Sequence, residues 1–240
     1  MPQSDSPPPI HPLIGGQTSP RISPRILCYV TDRQAFGPSP ENSVATLLER
    51  IASAARADVD WIQVREKDLG GRELSGLVHN AVRGAVQNAA ATSPLCRIIV
   101  NDRLDAAIAA GAAGVHLGED SLPVKDVVQW CRAGNAPADF LVGRSCHSLE
   151  SVLDAEAAGA SYVFFGPVFA TPSKAEYGAP QGIAKLAEVC DRARVPVLAI
   201  GGITLENSAE CLRAGAGGIA AIRLFQEAAD LAAIITRLKV

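Results

Sequence analysis

The chain has 240 residues, 48% of them apolar and 20% charged, which is enough to bury a large core in one domain and excludes disorder over most of the length. The net charge of −3, with Lys and Arg dispersed along the chain, excludes the basic field that a nucleic-acid partner requires. No apolar run is long enough to span a bilayer, and no basic stretch followed by an apolar segment opens the chain, so a cytoplasmic protein without membrane partners is expected.

Residues 1–25 combine Pro, Ser and Gly with almost no apolar periodicity. Such a segment cannot bury enough surface to offset the entropy of ordering, so a flexible, disordered Pro-rich tail is expected. His11 falls in it. Residues 26–240 then alternate short β-branched runs with longer Ala/Leu-rich stretches, the pattern of parallel strands joined by helices. Eight runs read as strands: Ile26–Thr31, Trp61–Arg65, Arg97–Asn101, Gly114–Leu117, Phe140–Ser145, Tyr162–Gly166, Pro196–Gly201 and Ile219–Leu224. Between them apolar residues recur at helical spacing, as at Val44, Leu47, Leu48 and Ile51, or Val124, Val127 and Val128, and a last helix is expected over Gln226–Leu238.

A weak repeat supports this division. Gly-Ala precedes three of the strands, at Gly111-Ala112, Gly159-Ala160 and Gly215-Ala216, where glycine suits a left-handed helix cap and alanine suits close helix-on-sheet packing. Eight strands in one series favour a single-domain (β/α)8 TIM barrel over an open doubly wound sheet, which is the alternative. The six cysteines, Cys28, Cys96, Cys131, Cys146, Cys190 and Cys211, form no CxxC and no ligand-like spacing to His. They read as small buried or half-buried thiols.

In such a barrel functional groups come from the strand C-termini and the loops after them. Strand two ends in Gln63-Val64-Arg65-Glu66-Lys67, a polar cluster denser than an ordinary strand end, although a solvated rim with a salt bridge would look the same. Strands three and four end in Asn101-Asp102-Arg103 and His116-Leu117-Gly118-Glu119-Asp120, so Asp102 and Asp120 reach one mouth. Carboxylates with room for water suit Mg²⁺ that also holds a phosphate. Asp102 could instead cap a helix, and His116 could be a packed core histidine.

Strand five delivers Ser145, His147 and Ser148, the last suited to cap the next helix. Strand six runs into a loop carrying Thr171, Pro172, Ser173 and Lys174, which reads as a lid over an anionic substrate or as a plain surface loop. Gly201-Gly202 follow strand seven, where backbone amides can approach a phosphate, and Ile222 and Arg223 end strand eight.

In combination, Gln63 to Lys67, Asn101-Asp102, Gly114 to Asp120, Gly166-Pro167-Val168-Phe169 with Thr171 to Lys174, and Gly201-Gly202-Ile203 resemble the thiamine-phosphate synthase family, whose members join a pyrimidine diphosphate to a thiazole phosphate. The resemblance runs from about Leu27 to the C-terminus. It implies that Gln63, Val64, Arg65, Glu66, Lys67, Asn101, Ser145 and Lys174 hold the pyrimidine diphosphate, and that Asp102 and Asp120 bind Mg²⁺ on it. Thr171, Pro172, Ser173, Gly202, Ile222 and Arg223 would hold the thiazole phosphate. The catalytic set would be Arg65, Lys67, Lys174 and Ser145. A dissociative reaction is implied, in which pyrophosphate leaves before the thiazole nitrogen attacks.

Arg223 departs from the pattern, because the family usually has a small residue there. Its guanidinium would either grip the phosphate or fill its pocket. A thiazole tautomerase-like isomerase using His147 and a non-catalytic precursor-binding paralogue are the alternatives, and a homo-oligomer is left open.

Overall fold

Strand and helix periods are written plainly in the chain. On helix α1 (Pro40–Arg56) Leu47, Ile51, Ala54 and Ala55 are buried, and on α2 (Gly71–Asn88) Leu74, Leu77, Val78, Ala81 and Ala85 are, each set forming one face at three- and four-residue spacing. The strands are β1 (Ile26–Val30), β2 (Trp61–Val64), β3 (Arg97–Asn101), β4 (Gly114–Leu117), β5 (Leu141–Cys146), β6 (Tyr162–Phe165), β7 (Val197–Ile200) and β8 (Gly218–Ala221). The other helices are α3 (Leu104–Ala109), α4 (Val124–Trp130), α5 (Leu149–Ala157), α6 (Gly182–Arg192), α7 (Leu205–Arg213), α8 (Arg223–Gln226) and α9 (Leu231–Lys239). A computed structural model describes residues 25–36, 40–88, 95–171 and 179–239. The tail expected over residues 1–25 lies outside the described residues except for Arg25.

The eight strands pair in sequence order, all parallel, and β8 pairs with β1, so the sheet is a closed (β/α)8 barrel. Alternation along each strand sends one set of side chains inward and the other toward the helices. Cys28, Val30, Ile99, Tyr162, Phe164, Leu198 and Ala220 form the inner core. Leu27, Tyr29, Ile62, Val64, Ile98, Val100, Val115, Leu117, Val163 and Phe165 face the helix layer. Glycines admit the bulky interior residues: a Cβ on Gly143 would lie 2.2 Å from the Tyr162 ring.

The repeated Gly-Ala pairs end α3, α5 and α7 in one way. Gly111, Gly159 and Gly215 are left-handed, at φ of 69°, 94° and 97°. Each following alanine donates its N–H five residues back, from Ala112 to Ala107, Ala160 to Ala155 and Ala216 to Cys211, which closes the helix C-terminus with paired carbonyls. Helix α1 ends alike with Asp58 in the glycine's place, at φ 71°. Ser148 caps α5 as expected, in a reciprocal bond with Ser151, and Thr204 caps α7 with Asn207.

Two boundaries differ from the sequence expectation by more than one residue. Strand eight stops at Ala221, because the N–H groups of Phe225 and Gln226 turn back to the Ile222 carbonyl and start α8. The last helix starts at Leu231 rather than Gln226. All six cysteines are free thiols; Cys131 and Cys190 are half-buried and the others buried. Burial pushes Cys96 and Cys190 up to about 12 and Cys146 and Cys211 up to about 11, so none is a ready nucleophile.

Candidate active site

At the C-terminal mouth of the barrel lies a cavity of about 510 Å³. Inward alternation decides which side chains reach it. On β1 the inward series Ile26, Cys28, Val30 continues to Asp32; on β2 and beyond, Trp61 and Gln63 continue to Arg65 and Lys67. Asp32, Gln63, Arg65 and Lys67 all line the cavity. They are joined there by Asn101, Asp102, His116, Gly118, Glu119, Asp120, Ser121, Ser145, His147, Phe164, Ile200 and Ile222.

The polar cluster that ends β2 therefore divides by parity. Val64 is fully buried in the layer under the helices, and Glu66 faces the same side at 5% exposure. The Glu66 carboxylate accepts from the Thr31 hydroxyl at 2.5 Å and from the Arg33 N–H at 3.2 Å. Arg33 in turn makes a two-pronged pair with Asp68, at 2.9 and 2.7 Å. These contacts tie the end of β2 to the end of β1. The side chains of Val64 and Glu66 thus stand apart from the cavity that Gln63, Arg65 and Lys67 enter.

Asp102 occupies a left-handed backbone position, φ 60°, and does not act as the cap of α3. Its Oδ1 accepts the Gly118 N–H at 3.0 Å and a short bond from the Ser121 hydroxyl, and its Oδ2 accepts from Asn101 Nδ2 at 2.7 Å. Gln63 Nε2 donates to Asn101 Oδ1 at 3.0 Å, which fixes the orientation of that amide. A chain from β2 through β3 thus pins the Asp102 carboxylate beside the β4 loop that carries Glu119 and the exposed Asp120. Among the described residues no cluster of three metal-ligating side chains occurs, so a closed protein cage for a cation is absent there. Two carboxylates on one open cavity match the other mode, in which Mg²⁺ keeps waters and binds substrate phosphate.

His116 is buried, at 1% exposure, yet its ring edge meets the cavity. Nε2 lies 3.0 Å from Ser145 Oγ and Nδ1 lies 3.1 Å from the Tyr162 hydroxyl. Both sequence readings of this histidine, packed and site-facing, describe it in part. His147 makes a short bond to the Gly166 carbonyl through Nδ1, and its Nε2 is 3.9 Å from Glu119 Oε1.

Opposite these groups the ends of β6 and β7 are laced together. Val168 and Phe169 donate to the carbonyls of Ile200 and Gly201 at 2.9 and 3.0 Å. Gly201 and Gly202 are left-handed, at φ 95° and 67°, and a Cβ on Gly202 would lie 2.6 Å from the Ala170 carbonyl oxygen. Packing alone therefore requires glycine at Gly202, whatever else its amide does. Ile222 lines the cavity, whereas Arg223 is exposed as the first residue of α8 and does not fill it. Thr171 is the last described residue of its loop; Pro172, Ser173 and Lys174 lie outside the described residues.

The sequence pattern of thiamine monophosphate synthase matches residues 27–225. The chain belongs to the thiamine monophosphate synthase family. It is 42% identical over 211 residues to the thiamine-phosphate synthase of Methanoculleus marisnigri, covering 88% of this chain and 92% of that one. Identity to the thiamine-phosphate synthase of Roseiflexus sp. (strain RS-1) is 37% over 221 residues, 89% of this chain and 84% of the other. Among solved structures, thiamine phosphate pyrophosphorylase from Pyrococcus furiosus superposes with a TM-score of 0.74 at 28% identity, covering 90% of this chain and 95% of its own. Family membership makes the chain an enzyme of the thiamine-phosphate diphosphorylase class, a transferase of thiamine biosynthesis.

Asp32 and Ser121 were missed by motif reading, and Glu119 was read in the strand-four motif without a role. Parity from Cys28 and Val30 would have found Asp32. A hydroxyl directly after Glu119-Asp120 was the signal for Ser121. Among the described residues no helix is long and apolar enough to cross a membrane.

Proposed function

We propose that this cavity joins a pyrimidine methyl diphosphate to a thiazole phosphate, releasing pyrophosphate and leaving thiamine phosphate. The observation that carries the reading is the convergence of Arg65 and Lys67 with Asp102 and Asp120 on one cavity. Among the described residues four carboxylates line it, Asp32, Asp102, Glu119 and Asp120, against those two cations. A diphosphate entering alone would meet net repulsion, which supports a divalent cation as its companion.

Asp102 and Asp120 would hold Mg²⁺, which supplies charge neutralisation for the diphosphate. Arg65 and Lys67 reach into the cavity from β2 to bind the terminal phosphate oxygens and stabilise the charge that grows as the leaving group departs. Lys174 is assigned to the same task on the sequence motif. The carbon–oxygen bond breaks with its electron pair passing to the diphosphate. The thiazole nitrogen then gives its lone pair to the pyrimidine methylene carbon, so the two steps balance with no proton transfer and no protein nucleophile. The inert, burial-raised thiols agree with that economy.

Gly202 and the turn from Ile222 to Arg223 would hold the thiazole phosphate through backbone N–H groups, and the Arg223 guanidinium would add a charge to that grip. Cytoplasmic action belongs to the same proposal, with a homo-oligomer left open.

The test is incubation of the purified chain with both substrates and Mg²⁺, with products identified by mass. Thiamine phosphate and pyrophosphate in equal amounts, lost on chelation of Mg²⁺, are expected. Isomerisation of a lone thiazole carboxylate phosphate, abolished by His147→Ala, would favour the tautomerase instead, and binding without product would favour the silent paralogue.

A further inference from the structure

We propose that His116 and Tyr162 are positioning residues that fix the Ser145 hydroxyl as a hydrogen-bond donor aimed into the cavity. The three groups form one chain from the barrel interior to the mouth, Tyr162 Oη to His116 Nδ1 at 3.1 Å and His116 Nε2 to Ser145 Oγ at 3.0 Å. A neutral imidazole carries one N–H, so the direction of the whole chain follows from the direction of one bond.

Tyr162 sets it. This residue is fully buried in the barrel interior, and among the described residues its hydroxyl bonds only to His116 Nδ1. If Nδ1 carried the proton and donated to the tyrosine oxygen, the phenolic O–H would be left buried without an acceptor, a cost of roughly 1–3 kcal/mol. Burial also pushes the Tyr162 hydroxyl well above its ordinary pKa, with Cys28 adding to the shift, so the proton is not shed instead. Tyr162 therefore donates to Nδ1, Nε2 carries the imidazole proton, and Nε2–H donates to Ser145 Oγ. The serine oxygen is then occupied as an acceptor from behind. Its own proton is free to point forward to an acceptor atom in the cavity.

Packing leaves the chain little room to rearrange. The His116 ring lies 4.1 Å from that of Phe164 between centroids, and the Tyr162 ring 4.7 Å from that of Trp61. Gly143 beneath Tyr162 has no space for even a methyl group. The acceptor in front of Ser145 would be an oxygen of the diphosphate or a ring nitrogen of the pyrimidine; that part rests on the synthase reading, while the tautomer does not.

Two measurements separate the parts. In ¹⁵N-labelled wild-type protein, two-bond ¹H–¹⁵N spectra, with the His116 signals assigned by their loss in His116→Gln, should show a protonated Nε2 and a pyridine-like Nδ1 at neutral pH without substrate. A protonated Nδ1 would overturn the proposal. In a double-mutant cycle, Tyr162→Phe should lower kcat about tenfold in the wild-type background with little change in KM, and less than about twofold in a Ser145→Ala background. Equal factors in both backgrounds would overturn it, because a structural loss at Tyr162 does not depend on Ser145. If the chain makes no thiamine phosphate, the same cycle is read from its affinity for inorganic pyrophosphate with Mg²⁺, and the spectrum decides alone if Tyr162→Phe fails to fold.

Discussion

Replacing Asp102 by Asn separates what its shape does from what its charge does. The left-handed backbone, φ 60°, is one that Asn tolerates well. The amide oxygen can keep the bonds that Oδ1 accepts from Gly118 and Ser121. The amide nitrogen would face Asn101 Nδ2, now 2.7 Å from Oδ2, so one charge-assisted bond is lost. That loss is about 1.5–3 kcal/mol in a closed interior, and nearer about 1–2 kcal/mol beside a cavity where water can serve Asn101. For a chain of this size the cost corresponds to a fall in Tm of roughly 2–8 °C. On the proposed Mg²⁺ role of Asp102, removing its charge should cost several kcal/mol of transition-state stabilisation, at least about a hundredfold in kcat. Asp102→Ala is a poorer probe, because it strains the backbone and strips both the Ser121 hydroxyl and the Asn101 amide of their acceptor. The assays are thermal melting and kcat measured across a Mg²⁺ titration. An Asn variant that melts as expected but turns over at the wild-type rate, with an unchanged Mg²⁺ dependence, would refute the reasoning.

Gly143→Ala should cost about 3 kcal/mol, the upper part of the overpacking range, since its Cβ meets a buried ring that cannot retreat; adding Tyr162→Phe should recover little, because ring carbons at 2.2 and 2.6 Å remain in the way. A melt within 1–2 °C of wild type for the single variant, roughly the effect of half a kcal/mol, would show that the interior yields. Arg223→Ser should leave stability within about 0.5 kcal/mol, as at other exposed sites, and raise KM for the thiazole phosphate several-fold; an unchanged KM would place the guanidinium outside the acceptor site. Burial holds the Glu66 carboxyl above the usual carboxylate range, against the pull of Thr31 and Arg33. The folded chain therefore binds that proton more tightly than the unfolded chain, so this group's contribution to stability falls as pH rises from the unfolded carboxyl's pKa of about 4.3 through the higher folded one. Glu66→Gln should lack that fall, and a wild-type-minus-variant Tm difference that stays constant across the window would contradict it.

The barrel was legible because each of its eight units repeats a short apolar strand, a helix with one buried face and, in three of them, a Gly-Ala stop. Strand eight overran because Ile222-Arg223-Leu224 keeps a strand-like composition while the backbone turns at Ile222. No local propensity marks that turn. It is held from outside, by the Gln226 side chain, which accepts the Asp32 N–H at 3.0 Å and donates to the Asp32 carbonyl. Those partners are 194 residues apart, beyond the reach of periodicity.

The site divides in the same way. Gln63, Arg65, Lys67, Asn101, Asp102, Asp120 and Ser145 could be placed at one mouth from strand order alone, since parallel strands in a closed barrel deliver their C-terminal ends to one face. A contiguous motif hid the parity that turns Val64 and Glu66 outward. The service of Asp102 to Gly118 and Ser121 was equally invisible, because a left-handed residue bonding to the next loop resembles a helix cap in sequence. Tyr162 reads as one more β-sheet aromatic until Gly143 is seen beneath it and His116 beside its hydroxyl.

The most direct test of the account is to locate the diphosphate and its cation in the barrel. Crystals grown with the pyrimidine diphosphate and Mn²⁺ in place of Mg²⁺ should show an anomalous peak within coordination distance of Asp102 and Asp120, with diphosphate oxygens on Arg65 and Lys67 and the Ser145 hydroxyl facing the bound molecule. A diphosphate bound in this cavity with no cation at either aspartate, or bound away from the barrel mouth altogether, would contradict it.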